Sequence, residues 1–274
     1  MGNRGAGPHL DIEAHQPLDS KVQPQQRTRW HWWTADLSTK LAEFAFILCS
    51  LITGLSDGVS YATFGCFISM QTGNTIILGL GASDLPPNKP FGWLKSLTSI
   101  TLFTVGSYVF SYVGRAVGSR RRGTLSVSFF IQCLLMIIAT SIIQAGVVPH
   151  DITNMPVNGP LFYELIPLAL LAFGSGGQIA AARSMGFNEI PTVVLTSVYY
   201  DIASDPGLSA GITKNVKRNR RISSVVALLV GAISAGWLVR SDAGMQTALW
   251  ISAFIKMCIA VVWLVWPAQP GLSN

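Results

Sequence analysis

The feature that most constrains this chain is the distribution of its apolar residues, which gather into windows of about 20 residues separated by charged stretches. A helix of about 20 apolar residues is long enough to cross the hydrocarbon core of a bilayer. Only 12% of the 274 residues are Asp, Glu, Lys or Arg, whereas soluble domains carry about 25%. We therefore predict an integral membrane protein, and the pattern argues against a secreted enzyme, a nucleic-acid binder and a disordered scaffold.

Eight apolar segments can be marked along the chain. Residues 66–82 and 190–204 are too short to span a bilayer comfortably, and glycines or Pro191 interrupt or open them. The other six are Leu41–Phe64, Ser96–Gly118, Leu125–Val148, Leu161–Ala182, Ile222–Val239 and Gly244–Trp266. The expected fold is an all-α polytopic membrane bundle of six transmembrane helices, or seven if residues 66–82 also cross. We expect a polar, disordered tail over residues 1–36, one transmembrane domain over 37–268 and a short tail over 269–274.

The basic residues favour six spans with both termini in the cytosol. In that arrangement fifteen Lys and Arg residues fall on the side of the termini and three fall on the other side. Cytoplasmic loops of membrane proteins carry such an excess. A seven-span arrangement with an external N-terminus would place the five basic residues of the N-terminal region on the wrong side. Which membrane holds the protein is not encoded in this pattern.

Two stretches are more specific than composition. The first runs from Gly54 to Tyr61 with Asp57 at its centre, and Thr72-Gly73-Asn74 follow it. It resembles the G-x-x-D and T-G-N signature of the YoaK-like family of small polytopic membrane proteins, a domain of unknown function. The second, over residues 177–180 and 188–201, resembles the fungal branch of that family. The resemblance covers about residues 41–266; it implies a six-pass membrane protein and no settled biochemical activity.

The layout of the segments suggests an internal repeat. Each half consists of a long segment, a short segment and two long segments. If the short segments do not cross, each half has three spans, and the second half is inverted relative to the first. Inverted repeats are common in secondary transporters, where short interrupted segments at matching positions indicate the binding site. Chance similarity between two apolar halves is the alternative.

Asp57 and Lys256 are the ionisable residues that lie inside apolar segments at the greatest apparent cost. An ionised side chain at the centre of a membrane helix costs about 2.5–3.5 kcal/mol on insertion scales. Asp57 shares a helical stripe with Ser50, Gly54 and Tyr61, which predicts that it faces the protein interior. Asp57 is either a cation or proton site, or a structural residue that forms an ion pair or lies at a helix end near the membrane interface. We expect Lys256 to pair with a membrane carboxylate, with Asp57 as the first candidate and Glu164 or Asp201 as alternatives.

These residues lead to a functional hypothesis of a small secondary transporter or permease of unknown substrate, acting on a small solute or ion. The alternative is a non-transport membrane scaffold or accessory subunit. No catalytic residue, cofactor or metal site is expected, and the protein is not expected to be an enzyme. The expected partners are the lipid bilayer and the transported solute, with no nucleic acid. The candidate binding residues are Asp57, Tyr61, Thr72, Gly73, Asn74, Gln178, Thr196, Ser197 and Tyr200, with Lys256 as their charge partner.

Overall fold

A computed structural model describes Gly2 and residues 29–85, 91–148, 162–190 and 195–269. Within these ranges the regular secondary structure is helical, joined by turns and loops and accompanied by two isolated β-bridges. The helices are α1 (Arg29–Thr34), α2 (Glu43–Phe64), α3 (Gln71–Gly81), α4 (Gly92–Val117), α5 (Arg122–Gln144), α6 (Leu165–Ser184), α7 (Thr196–Ala203), α8 (Val216–Arg240) and α9 (Gly244–Val265). Most of the predicted N-terminal tail, residues 270–274 and the helix irregularity expected at Pro191 lie outside the described residues.

Six of these helices, namely α2, α4, α5, α6, α8 and α9, are long and apolar enough to cross a membrane. The prediction of an all-α bundle with six such helices is confirmed. The two short segments form α3, with 11 residues, and α7, with 8 residues. At 1.5 Å per residue these helices are roughly 16 and 12 Å long, well short of a bilayer core of about 30 Å. The fold is that of a multi-pass membrane protein.

The packing of the helices has an approximate two-fold pattern. Helix α2 packs along α8, α6 packs along α4, and α5 packs against α9. Exchanging α2 with α6, α3 with α7, α4 with α8 and α5 with α9 turns the α2–α8 and α4–α6 contacts into each other and leaves the α5–α9 contact unchanged. The same exchange relates α5–α6 to α9–α2, α3–α4 to α7–α8, and α4–α5 to α8–α9. The two halves are therefore structural repeats, as their segment layout predicted.

Contacts between helix ends show that the second repeat is inverted. The Glu43–Arg220 ion pair joins the starts of α2 and α8. The Lys95–Glu164 ion pair joins the starts of α4 and α6, and the Lys95 ammonium also donates to the Phe64 carbonyl at the end of α2. Helices α2 and α6, which the exchange relates, thus begin at opposite ends of the bundle. We call the end at which α2, α5 and α8 begin the basic end, because it carries Arg115–Arg122, Arg183 and Lys217–Arg221.

Glycines allow the closest helix crossings, and they occur in matching pairs. A Cβ atom on Gly231 of α8 would lie 2.3 Å from the Leu51 carbonyl oxygen of α2. A Cβ atom on Gly106 of α4 would lie 2.3 Å from the Phe173 carbonyl oxygen of α6. Small residues at such positions let helix backbones approach each other closely in membranes. The two repeats are therefore joined to each other by two crossings of the same kind.

Candidate functional site

Asp57 anchors the segment that leads into the short helix α3. Its carboxylate accepts hydrogen bonds from the backbone N–H groups of Ile68 at 2.7 Å and Ser69 at 2.8 Å, and from the Ser69 hydroxyl at 2.6 Å. The residue is 3% exposed. These three donors replace the hydration that the carboxylate loses on burial. Asp57 therefore holds residues 68–69 in place with both of its carboxylate oxygens engaged.

The T-G-N element has a structural explanation in the same region. The Asn74 side chain accepts from the Phe67 N–H at 2.9 Å and donates to the Phe67 carbonyl at 2.7 Å. It also donates to the Ser99 hydroxyl of α4 at 3.1 Å. The Phe67 ring lies over Gly73, where a Cβ atom would come within 2.7 Å of it, and Tyr61 stacks on Phe67 at 4.7 Å. Asn74 and Gly73 therefore fix the start of α3 against α2 and α4.

Lys256 lies at the centre of the bundle and is hydrogen-bonded to two glutamines. Its ammonium group donates to the side-chain oxygens of Gln132 at 2.7 Å and Gln178 at 2.8 Å. Gln178 in turn donates to the Thr53 hydroxyl at 2.9 Å, and Gln132 donates to the Ser128 hydroxyl at 3.2 Å. Lys256 is 2% exposed. We call these five residues the Lys256 cluster.

The predicted ion pair between Lys256 and Asp57 does not form. The described residues contain five ion pairs, and neither Lys256 nor Asp57 belongs to any of them. The alternative partners are also engaged elsewhere, because Glu164 pairs with Lys95 and Asp201 pairs with Arg221 at 3.4 Å. The prediction was wrong because backbone N–H groups satisfy Asp57 and amide oxygens satisfy Lys256.

The cluster lies where the two repeats meet. Helices α5 and α9 run antiparallel, since Ser126 donates to the Ala260 carbonyl at 2.9 Å and the Cys133 thiol donates to the Ala253 carbonyl at 3.2 Å. Gln132 and Lys256 face each other at this crossing, and the repeat exchange maps α5 onto α9. Lys256 thus lies near the pseudo-two-fold axis, and Gln132 occupies the related position in the other repeat.

A cavity opens from the basic end towards this cluster. It has a volume of about 570 Å³ and lies between α4, α5 and α6. Arg115, Arg121 and Arg183 line it, and most of the remaining wall is apolar. Ser128 also lines the cavity, and its hydroxyl accepts the Gln132 amide hydrogen bond. One hydrogen-bonded side chain, Gln132, therefore separates the cavity wall from Lys256.

Helix α7 lies far from α3. Arg221, near the start of α8, pairs with Asp201 at 3.4 Å and with Asp205 at 3.5 Å, which places α7 at the basic end. The segment that leads into α3 is hydrogen-bonded to Asp57, about 21 Å along α2 from Glu43 at 1.5 Å per residue. The prediction of one binding site that combines residues of both short segments was therefore wrong. The physical reason is that inversion of the repeats places equivalent segments at opposite ends of the bundle. The candidate residues on α7 are also all exposed: Thr196, Ser197 and Tyr200.

A separate hydrogen-bonded cluster shapes the loop between α7 and α8. Hydrogen bonds from the Gly207 N–H and the Asn215 amide hold the pKa of Asp205 below its usual range, and Arg221 acts in the same direction. Asn215 also accepts from the Arg218 N–H at 3.0 Å, capping the start of α8. These hydrogen bonds give the cluster a structural role, since they shape the loop and cap α8.

Gln178 and Lys256 were thus among the candidates predicted from the sequence, whereas Thr53 was missed, and so were Gln132 and Ser128. Two signals could have found them. Gln132 is the one amide inside its apolar segment before the final turn, and Ser128 lies four residues earlier on the same helix face. Of the other candidates, Asp57, Gly73 and Asn74 form the α3 anchor, Tyr61 flanks it, and Thr72 is exposed.

Comparison with known proteins gives a family but no function. The family model described as "Protein of unknown function (DUF1275)" matches residues 45–262, which include both repeats. No curated protein and no solved structure matches the chain. Since the match covers well over half of its residues, the chain belongs to the DUF1275 family of proteins of unknown function.

Proposed function

We propose that this protein is a small secondary transporter whose central site is the Lys256 cluster. The observation that carries the proposal is a buried lysine without a carboxylate partner among the described residues, located where two inverted repeats meet. Ionisable residues inside membrane proteins typically mark substrate or ion pathways. Inverted-repeat transporters bind their substrates near mid-membrane at the interface between repeats.

The geometry of the cavity supports the same role. Ser128 and Ile131 line the cavity six and nine residues into α5, which corresponds to roughly 9 and 13 Å from its start. The Phe110 ring packs on Gly177, whose Cβ position is 2.9 Å from the ring and 3.0 Å from the Gln132 amide nitrogen. Phe110, which itself lines the cavity, therefore packs beside Gln132 at the part of the cavity nearest Lys256. A conformational change that moves this ring would connect Lys256 with the basic end.

The proposed site therefore differs from the one predicted from the sequence. The α3 anchor of Asp57, Gly73 and Asn74 forms a support for the bundle, whereas Gln178 and Lys256 remain at the centre. Transport needs no chemical conversion, so we assign no catalytic residue, cofactor or metal. We also propose that both termini lie in the cytosol, because the basic end carries the excess of Lys and Arg. The narrower YoaK-like and fungal resemblance remains a prediction.

The competing function is a non-transport scaffold or accessory subunit. One observation favours it: the surroundings of Asp57 are closely packed, with its carboxylate satisfied by neighbouring donors. In that case Lys256 would serve only to tie α5, α6 and α9 together. The two functions differ in whether loss of the Lys256 charge changes solute binding separately from stability.

The experiment is a solute screen on the purified full-length protein, read by thermal stabilisation and followed by uptake into proteoliposomes. Lys256→Gln removes the central charge but keeps a hydrogen-bonding side chain, and Lys214→Gln removes an exposed charge as the matched control. We expect a stabilising solute to be taken up by the wild type and by Lys214→Gln, and at least tenfold more slowly by Lys256→Gln at equal abundance. Normal uptake by Lys256→Gln would reject the site.

A further inference from the structure

The cavity at the basic end combines two chemistries that define a ligand class. Its volume of about 570 Å³ would hold a small organic molecule, and pockets of about 300–1,000 Å³ are typical of ligand sites. Its wall is mainly apolar, with contributions from Phe110, Val113, Val127 and Ile131. Such a wall accommodates an apolar body rather than a fully hydrated ion.

The polar part of the cavity is positively charged. Arg115, Arg121 and Arg183 line it, and none of the three is in an ion pair with a described residue. Arg121 donates to the Val117 carbonyl at 2.7 Å and Arg183 donates to the Asn188 side chain at 2.9 Å, so both bind neutral acceptors. Among the residues that the structure describes, no acidic one lines the cavity. Arginine guanidinium groups favour planar carboxylate or phosphate partners.

The acidic residues that the structure describes near this end have partners outside the cavity. Glu43 and Glu189 pair with Arg220, and Asp201 and Asp205 pair with Arg221. Asp36 lies beside Arg121 only through a backbone bridge. The cavity therefore keeps a net positive lining, which attracts anions from solution.

We infer that this cavity binds an amphipathic organic anion, with a carboxylate or phosphate head at the arginines and an apolar body along α4 and α5. The inference rests on the proposed function in one respect, since it names the substrate class of that transporter. It also gives the path a direction. An anion drawn to the arginines would next meet Ser128 and, once Phe110 moves, the Lys256 ammonium group, so positive groups stand at both ends of the route.

The test measures binding to the purified full-length protein in neutral detergent. The probes are octanoate, octyl phosphate, octanol and octylamine, and dioctanoyl phosphatidylserine represents a lipid source of the same chemistry. Binding is measured by isothermal titration calorimetry. We expect the two octyl anions to bind at least tenfold more tightly than octanol and octylamine. Tighter binding of dioctanoyl phosphatidylserine than of octyl phosphate would identify a lipid as the natural ligand within the inferred class.

Variants locate the binding. The Arg115→Gln and Arg183→Gln double variant removes two exposed charges, and Arg240→Gln removes an exposed arginine at the opposite end. Gly114→Leu keeps all arginines but fills the cavity, since a Cβ atom there meets only Ser119, at 3.6 Å or more. We expect at least tenfold weaker octyl phosphate binding in the double variant and in Gly114→Leu, with no change in Arg240→Gln. Should Gly114→Leu fail to fold, the double variant decides alone.

The outcomes separate this inference from the proposed function. Equal binding of octanol and octyl phosphate, or unchanged binding in the double variant, would overturn the anion site. Uptake of a cationic or neutral solute that depends on Lys256 would leave the transporter proposal standing and overturn the substrate class. Binding of octyl anions at the cavity, with no uptake of any of them into proteoliposomes, would support the site and count against transport.

Discussion

The glycine crossings allow the architecture to be tested without knowledge of a substrate. Gly231→Ala places a Cβ atom 2.3 Å from the Leu51 carbonyl oxygen, more than 1 Å inside the 3.4 Å at which ordinary contact begins. The obstacle is backbone, so α2 and α8 must separate. Overpacking of this kind costs about 1–3 kcal/mol, and the rigid obstacle favours the upper end. Alanine recovers about 1 kcal/mol of helix propensity relative to glycine. The net loss should be about 2 kcal/mol in the free energy of unfolding.

The matched control lies on the same helix. Gly236 of α8 has nothing within 4 Å of its Cβ position, so Gly236→Ala should be neutral or stabilise by up to about 1 kcal/mol. Gly106→Ala tests the α4–α6 crossing, which the repeat exchange relates to the α2–α8 crossing and where the Phe173 carbonyl oxygen also lies at 2.3 Å. Unfolding of each purified variant by sodium dodecyl sulfate in mixed micelles gives the free energies. If Gly231→Ala and Gly106→Ala unfold like Gly236→Ala, the close crossings and the repeat they define are refuted.

Three further predictions follow from the site. In a double-mutant cycle of Asp57→Asn and Lys256→Met, the losses of stability should add to within about 0.5 kcal/mol, because the two groups share no hydrogen-bond partner; a coupling above about 1 kcal/mol would restore the ion pair. Asn74→Ala should lower membrane abundance, because it removes the hydrogen bonds of the Asn74 side chain with the Phe67 N–H and carbonyl groups. Thr72→Ala, at an exposed position, should not lower it, and equal abundance of the two variants on quantitative immunoblots would refute the anchor. Asp205→Asn should be less stable than the wild type at neutral pH. Because folding lowers the pKa of Asp205, its carboxylate stabilises the fold fully above the unfolded pKa of 3.8, and this stabilisation is lost as pH falls through the folded pKa. A difference in melting temperature between the wild type and Asp205→Asn that does not change with pH would contradict this prediction.

The sequence predicted the helices better than it predicted the site. Apolar length decides whether a helix can cross a bilayer, so the six long helices and the two short segments could be read directly from the residues. The repeat was also visible, because each half has the same order of segments. Among the six long helices the largest shift of a single boundary is at α8, which begins at Val216 and not at Ile222, because Asn215 caps a first turn rich in Lys and Arg.

The site could not be predicted because hydrogen-bond partners depend on packing across distant helices. Asp57 and Lys256 each carry a charge that is costly to bury in a membrane, and an ion pair between them would have satisfied both charges. Instead Asp57 binds N–H groups 11 and 12 residues later in the chain, while Lys256 reaches across to Gln132 and Gln178. Inversion also separates Asn74 from Ser197, although both lie on matching short segments. Neither outcome follows from spacing along the chain.

The most direct test of the central claim is whether matching positions of the two repeats become accessible from opposite sides. Ser128 lies four residues before Gln132 and lines the cavity, and Ser252 lies four residues before Lys256 and is 0% exposed. In a variant without native cysteines, Ser128→Cys and Ser252→Cys would each be treated with a membrane-impermeant maleimide applied to one side of the membrane. An alternating transporter predicts labelling of Ser128→Cys from the basic end and of Ser252→Cys from the opposite end, with a bound solute changing the two rates in opposite directions. If Ser252→Cys is never labelled while Ser128→Cys is, the central lysine does not alternate between the two sides and the transporter account is contradicted.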